Sequence, residues 1–495
     1  MPELAELFDV AAARRIDAQA SARLGDGGAG LMAQAGQAAW QCLLACWPQA
    51  QRLCVVVGHG NNGGDGYVLA RLARQAGRQV QVLRLPGEGD AAPLAAAARQ
   101  AWQDDGGTLE VFGGSVPAAE VVVDALYGLG LNRAPAGQAQ ALIEAINAAS
   151  VPVLALDVPS GVDADTGAVP GVAVRASVTL QFIVAHRGLY TGEALAYVGE
   201  RRLAPLRLPE AAADGVAPAA TRWLPARLAG LLPPRGVNAH KGSSGHVLCV
   251  GGNRGSGGAV MLASEAALRS GAGLVSVATQ AVHVAPLLAR LPEAMVHAVE
   301  DAGDLQALLA RATVVAIGPG LGQEEWAREL WRQVLASGLP QVIDADALNL
   351  LAAAHTPLHD AILTPHPGEA ARLLGCSTAQ IQADRHGAAR RLAERYGAVV
   401  VLKGAGTLIA APGQRPRVIA AGNPGMAVGG MGDLLTGIIA ALRAQGLDAF
   451  DAASTGALVH ALAGDAAAGQ GQRGLLPTDL LAPLRRLVNP QPDIA

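Results

Sequence analysis

Two stretches of this chain concentrate side chains able to move protons or hold anions. The first is Gly58-His59-Gly60-Asn61-Asn62-Gly63-Gly64-Asp65-Gly66, which follows an apolar run at 53–57 and precedes a helix-like segment at 67–75. Glycines at a strand-to-helix turn let backbone N–H groups approach an anion at a helix N-terminus. Gly58, Gly60 and Gly63 satisfy the G-x-G-x-x-G spacing of dinucleotide-binding turns. A plain fingerprint has no use for Asn61, Asn62 and Asp65, whose polar groups point to chemistry or ion binding at the turn. The second stretch is Asn423-Pro424-Gly425-Met426-Ala427-Val428-Gly429-Gly430-Met431-Gly432-Asp433, ahead of an apolar helix at 434–442. Backbone N–H groups there make an anion hole, and Asp433 beside them could deprotonate a hydroxyl.

Further polar loops follow apolar runs. Asp124 to Gly130 follows 121–123, and Asp157-Val158-Pro159-Ser160-Gly161 follows 153–156. Asp65, Asp124 and Asp157 could converge on one pocket, where carboxylates bind a cation or serve as general acid and base. The plainer alternative is that they cap helices. The wedging of Asp157 before Pro159 and Gly161 favours function. In the second half, Gly318–Gly322, Asp344-Ala345-Asp346, Thr364–Glu369 and Lys403–Thr407 likewise follow apolar runs. Two familiar chemistries fail. Hydride transfer wants an acid at the end of the second strand to hold ribose hydroxyls, and 79–85 offers only Arg84. A P-loop is absent because Lys241 precedes its glycines in His240-Lys241-Gly242-Ser243-Ser244-Gly245.

These loops need a scaffold. Short β-branched runs alternate with alanine-rich helical stretches: 53–57, 79–85, 121–123, 153–156 and 177–182, then 246–250, 274–278, 313–317, 341–343, 361–363 and 398–402. That alternation predicts an α/β protein with a parallel sheet, helices on both faces, in each half. Ligands then sit at the carboxyl ends of the strands. A segment without steady period between Arg207 and Thr221 reads as a linker, giving domains at 1–212 and 222–492. With 495 residues, 51% apolar but only 3% aromatic, the chain has enough for two small-residue cores. A formal net charge of −4 without a basic run argues against nucleic acid as partner. Five cysteines without a C-x-x-C pair fit a reducing compartment, with Cys54 and Cys249 as core thiols. The acidic N-terminus lacks signal-peptide character, and no apolar run reaches the ~18 residues of a membrane span. The expected setting is cytoplasmic, without membrane association.

The segments Gly60–Gly66, Asp124–Gly130 and 156–161 resemble the NAD(P)H-hydrate epimerase family, over roughly the first 210 residues. The resemblance implies a Rossmann-like three-layer sandwich whose substrate is a damaged, hydrated nicotinamide dinucleotide. It implies hydrate contacts from Asn61, Asn62, Gly63, Gly64, Asp65, Gly128, Leu129, Gly130, Leu131, Asn132, Arg133, Ala134 and Asp157. It further implies a potassium ion on Asn62, Asp124 and Ser160, with Asp157 as acid/base. One departure stands out: where that family leads one to expect a lysine, this chain has His186-Arg187, either of which could meet a phosphate.

The second half resembles the ribokinase-like superfamily, in its ADP-dependent NAD(P)H-hydrate dehydratase branch, from about Trp223 onward. The resemblance rests on His240–Gly245, Gly257-Gly258-Ala259, Gly271-Ala272-Gly273, Gly318–Gly322, His366–Glu369, Lys403–Thr407 and the Asn423–Asp433 segment. It implies that Ala259, Gly322, His366 and Asp433 bind the hydrate, while Lys403, Gly404, Ala405, Gly406, Thr407 and Gly432 bind the nucleotide, with ADP as co-substrate and Mg²⁺ on its phosphates. Asp433 would take the hydroxyl proton; phosphoryl transfer would turn hydroxide into a good leaving group, giving AMP and phosphate. The whole then reads as an isomerase fused to a lyase, acting on NADHX and NADPHX, with a homo-oligomer expected. The alternative is a small-molecule kinase joined to a non-catalytic nucleotide-sensing module.

Overall fold

The computed structural model describes residues 5–87, 91–131, 133–354, 356 and 358–490. The chain divides into two compact units, one spanning Glu6–Ala220 and the other Thr221 onward.

In the first unit the strand Arg52–Val57 is buried at every position but its first. A strand covered on both faces needs apolar residues throughout, which explains the unbroken run Leu-Cys-Val-Val-Val. Leu53, Val55 and Val57 pack with Trp40, Leu43 and Leu69 on one face; Cys54 and Val56 pack with Leu142, Ile143 and Ile146 on the other. Burial pushes the Cys54 thiol up to about 12, as for an inert core thiol. Named by first residue, the strands run Leu109, Gln79, Arg52, Val121, Val153, Val178, Glu200, all parallel. The order reverses between Arg52–Val57 and Val121–Ala125, and the crevice beyond their carboxyl ends is where such sheets bind ligands. Leu208, Ala212 and Val216, in the stretch read as a linker, pack onto the helices of this unit.

Element boundaries differ from expectation most at the first glycine turn. The helix after the first strand starts at Asn61, not Tyr67. Its glycines therefore serve close packing inside a helix rather than loop freedom. A Cβ on Gly63 would lie 2.0 Å from the Gly58 carbonyl oxygen, and one on Gly58 would lie 2.0 Å from that of Leu126.

In the second unit the strands run, by first residue, Arg417, Thr407, Val399, Ala361, Gln341, Val314, His246, Leu274, Met295. His246–Val250 is flanked by Leu274–Thr279 and Val314–Ile317, both parallel to it, so the order reverses there too. Thr407–Ala410 departs from the predicted parallel sheet: it is antiparallel to both neighbours. The reason is length. Only Lys403–Gly406 connects it to Val399–Leu402, and a parallel crossover needs about a dozen residues. Gly404 (φ +131) and Gly406 (φ +63) permit the tight reversal. The helix Met431–Ala444 is buried from Leu434 to Leu442, and it presses on the helix Gly257–Arg269 so closely that a Cβ on Gly437 would lie 2.0 Å from the Ala263 carbonyl oxygen. Among the described residues no helix is long and apolar enough to cross a membrane.

Candidate active sites

At the switch edge of the first sheet lies a cavity of about 1330 Å³. Asn61, Asn62, Asp65 and Asp157 line it, with the segments 128–131 and 133–134 opposite. Gly63 and Gly64 are buried and outside that lining. Asn132 lies outside the described residues. Helix Val10–Leu24 completes the wall with Ala13, Arg14, Asp17 and Ser21, a participation that motif reading missed. The signal was present as helical spacing, since 13, 17 and 21 share one face.

Asp157 is the last residue on its strand line. Its N–H donates to the Leu180 carbonyl at 2.8 Å, continuing the ladder, and the chain then turns with φ +64. That left-handed backbone costs a non-glycine residue roughly 1–3 kcal/mol and is concentrated at functional sites. Its Oδ1 lies 2.9 Å from His186 Nε2. Its Oδ2 faces Gly128, where a Cβ would stand 3.2 Å away. Burial, then the neighbouring Asp157 and Asp17, hold the Asp65 carboxyl well above its usual range. Burial and Asp157 raise Asp17 as well. Three carboxyls thus share one cavity, two of them biased toward the protonated form. The possibility that His186 or Arg187 meets a phosphate does not hold in this geometry. The His186 side chain is 1% exposed and turned to Asp157, and the Arg187 Nε–H donates to the Asp165 carbonyl.

Behind that wall, Asp124 is the penultimate residue of the strand Val121–Ala125 and is fully buried. Its Oδ2 accepts the Ser160 N–H at 2.8 Å, and its Oδ1 accepts the Ser160 hydroxyl at 2.6 Å. Burial pushes its carboxyl up to about 6, against these hydrogen bonds. Asn62 donates its amide N–H groups to the Tyr127 and Leu156 carbonyls at 2.9 and 3.1 Å, while its Oδ1 is buried without a partner. An orphaned carbonyl oxygen, a hydroxyl and a buried carboxylate without a countercharge form a hard-oxygen set that suits a potassium ion.

In the second unit Lys403 is the hub. Its Nζ lies 2.8 Å from Asp344 Oδ1 and 3.9 Å from Glu369 Oε2. Burial alone would lower this lysine, but Asp344 and Glu369 outweigh it and hold it raised. Asp344 Oδ2 accepts the Thr436 hydroxyl at 2.8 Å. Lys403 is expected at the nucleotide; its Nζ pairs with these buried carboxylates and also stands beside Gly432, where a Cβ would lie 3.1 Å from it. Two Arg385 contacts, to the Leu402 and Lys403 carbonyls at 3.2 Å each, brace that loop from behind.

Asp433 stands in the first turn of Met431–Ala444, whose N-cap Gly430 supplies no side-chain cap. The first N–H groups of the helix are thereby left to an anion. Burial, reinforced by Asp344 against Lys403, pushes the Asp433 carboxyl up to about 7, where a general base works best. His366 caps the helix Pro367–Leu374: its Nδ1 accepts the Gly368 and Glu369 N–H groups. Only Nε2 remains for a ligand. The Gly322 N–H donates to Asp346 Oδ2 at 2.8 Å, and Ala259 is reached from the same loop, since a Cβ on Gly320 would stand 3.2 Å from its methyl. Asp344, Asp346, Glu369 and Thr436 carry this network; the first three lie in polar loops that the sequence marks without giving them a role, and Thr436 carries no motif.

Comparisons with known proteins cover both units. Residues 28–188 match a family model described as the N-terminus of YjeF-related proteins, and residues 247–486 one described as NAD(P)H-hydrate dehydratase. A bifunctional NAD(P)H-hydrate repair enzyme of Coxiella burnetii is 51% identical over 466 residues, covering 93% of this chain and 95% of that one. Its Escherichia coli counterpart is 45% identical over 463 residues, covering 93% and 90%. A solved ribokinase-like superfamily protein from Enterococcus faecalis aligns at 33% identity and TM-score 0.51, over 54% of this chain and 95% of that one.

Proposed function

Because the chain belongs to the family of bifunctional NAD(P)H-hydrate repair enzymes, we propose that its first unit interconverts the R and S hydrates of NADH and NADPH and that its second restores the reduced cofactor from the S hydrate. One observation carries this reading. Each sheet's switch edge places a carboxylate beside glycine-bounded backbone: Asp157 next to Gly128, Asp433 next to Gly429–Gly432.

In the first site Asp157 Oδ2 takes the proton of the C6 hydroxyl. The C6–oxygen double bond forms, the C6–N1 bond breaks, and Asp65, whose carboxyl burial holds well above its usual range, delivers a proton to N1. Reclosure on the other face returns both protons and inverts the centre. Potassium on Asn62, Asp124 and Ser160 would offset the buried charge of Asp124. Arg14 and Arg133, on the cavity wall, supply positive charge for the diphosphate.

In the second site Asp433 deprotonates the C6 hydroxyl, which attacks the terminal phosphoryl group of ADP lodged at the helix N-terminus. The ring nitrogen's lone pair then expels phosphate, and loss of a proton from C5 of the resulting iminium forms the C5–C6 double bond, leaving AMP, phosphate and the reduced cofactor. A magnesium ion bound with the nucleotide would supply charge neutralisation for its phosphates. Incubation with mixed hydrates tests the reading: both epimers return to reduced cofactor with ADP, neither does without it, and free phosphate rather than a phosphoester appears. A stable phosphoester would instead indicate a kinase.

A further inference from the structure

We infer that His186 is a positioning residue of the first site: its Nε2–H fixes Asp157 Oδ1 and so presents Oδ2 to the hydrate. This rests on the epimerase reading of that site. The main chain at His186 is held on both sides. Its backbone N–H donates to Gln181 Oε1 at 2.8 Å, and Gln181 in turn reaches the Tyr190 hydroxyl at 3.4 Å. The chain on either side of it is pinned to Phe8, the Phe8 N–H donating to the Ala185 carbonyl and the Arg187 N–H to the Phe8 carbonyl. The ring itself is 1% exposed and turned so that Nε2 meets Asp157 at 2.9 Å.

The other ring nitrogen assigns the protonation state. Nδ1 is buried without a partner. A neutral ring protonated on Nε2 strands only an acceptor there; an imidazolium would strand a buried donor next to its charge, which costs more. His186 thus donates from Nε2 to Asp157 Oδ1. It orders one carboxylate oxygen and leaves the other to the substrate. Such an anchor is needed, because Asp157 leaves its strand in a left-handed turn and shares its cavity with Asp17 and Asp65. No arginine or lysine pairs with Asp157 among the described residues; the charged neighbour Arg187 is turned to Asp165.

The test uses the full chain, the purified R hydrate of NADH and no ADP, following conversion to the S hydrate by chromatography, with a thermal unfolding curve for each variant. His186→Leu removes the donor and is expected to lower kcat about 100-fold, as misplacement of a reacting group by about 1 Å does, with KM changed less than about threefold. His186→Gln restores a neutral donor and is expected to recover most of that loss. In Asp157→Asn/His186→Leu the second change is expected to add nothing to the first, the signature of two groups acting as one unit. Exchange by His186→Leu at the wild-type rate overturns the proposal. So do losses that multiply in the double variant, or a glutamine variant no better than the leucine one when both unfold at the same temperature. If the wild type exchanges nothing, the epimerase reading itself falls, an outcome distinct from these.

Discussion

Lys403 Nζ lies 2.8 Å from Asp344 Oδ1 inside the second unit, with Thr436 on the other carboxylate oxygen. The two form a buried ion pair. Lys403→Met should therefore leave Asp344 charged, buried and uncompensated, at a cost of roughly 3–5 kcal/mol. Chemical denaturation of the full chain should show the second unit unfolding early. A variant of unchanged stability with weakened ADP binding would mean that the ammonium serves the nucleotide instead.

Asp433 sets the pH dependence of dehydration. Its carboxyl is pushed up to about 7, by burial first and by Asp344 second. As a base it must be ionised, so dehydration should rise with pH through about 7 and level off above. The stability linkage has the opposite sign. The folded state holds this proton more tightly than the unfolded state, so the group penalises folding increasingly as pH rises from the ordinary aspartate range to about 7. Asp433→Asn should remove both effects: dehydration falls by roughly 10²–10⁴-fold, and the melting temperature above pH 7 rises.

Gly128 is empty of side chain where Asp157 Oδ2 faces it. A Cβ there would stand 3.2 Å from that oxygen and 3.2 Å from Asn62 Cβ. Gly128→Ala should slow R-to-S exchange by about tenfold through displacement of the carboxylate, while unfolding shifts little. Gly63→Ala should do the reverse, because its Cβ would meet the Gly58 carbonyl oxygen at 2.0 Å. Backbone has nowhere to go there, and the first unit should lose about 1–3 kcal/mol.

The difference between these glycines also shows what sequence makes legible. Strand runs at 153–156, 246–250, 341–343 and 361–363 coincide with strands in the fold, because buried β-branched runs have few other outcomes. Helix starts were hidden, since the glycines of Asn61–Gly66 read as loop while they allow two backbones to touch. The strand Thr407–Ala410 was missed because its hairpin partner reverses through a loop already read as a binding motif. His186 and Asp157 are 29 positions apart, and only the left-handed turn at Asp157 brings them together. No spacing rule encodes such a contact. Asp17 was recoverable from helical periodicity, but a lone acid on an alanine-rich helix carries no motif.

The potassium ligands can be tested without activity. If Asn62, Asp124 and Ser160 hold the ion, the first unit should melt higher in potassium chloride than in choline chloride, since a ligand bound only by the folded state stabilises it. Asp124→Asn should abolish that increment. An equal increment in the variant would place the ion elsewhere.

The division of labour between the two carboxylates is the centre of the account, and one assay addresses it. The pure R hydrate of NADH is given to the wild type and to Asp157→Asn, each with ADP, and the return of reduced-cofactor absorbance is followed; the S hydrate is run in parallel. The account predicts that the wild type restores both epimers, while Asp157→Asn restores only the S hydrate. Restoration of the R hydrate by Asp157→Asn at the wild-type rate would contradict it.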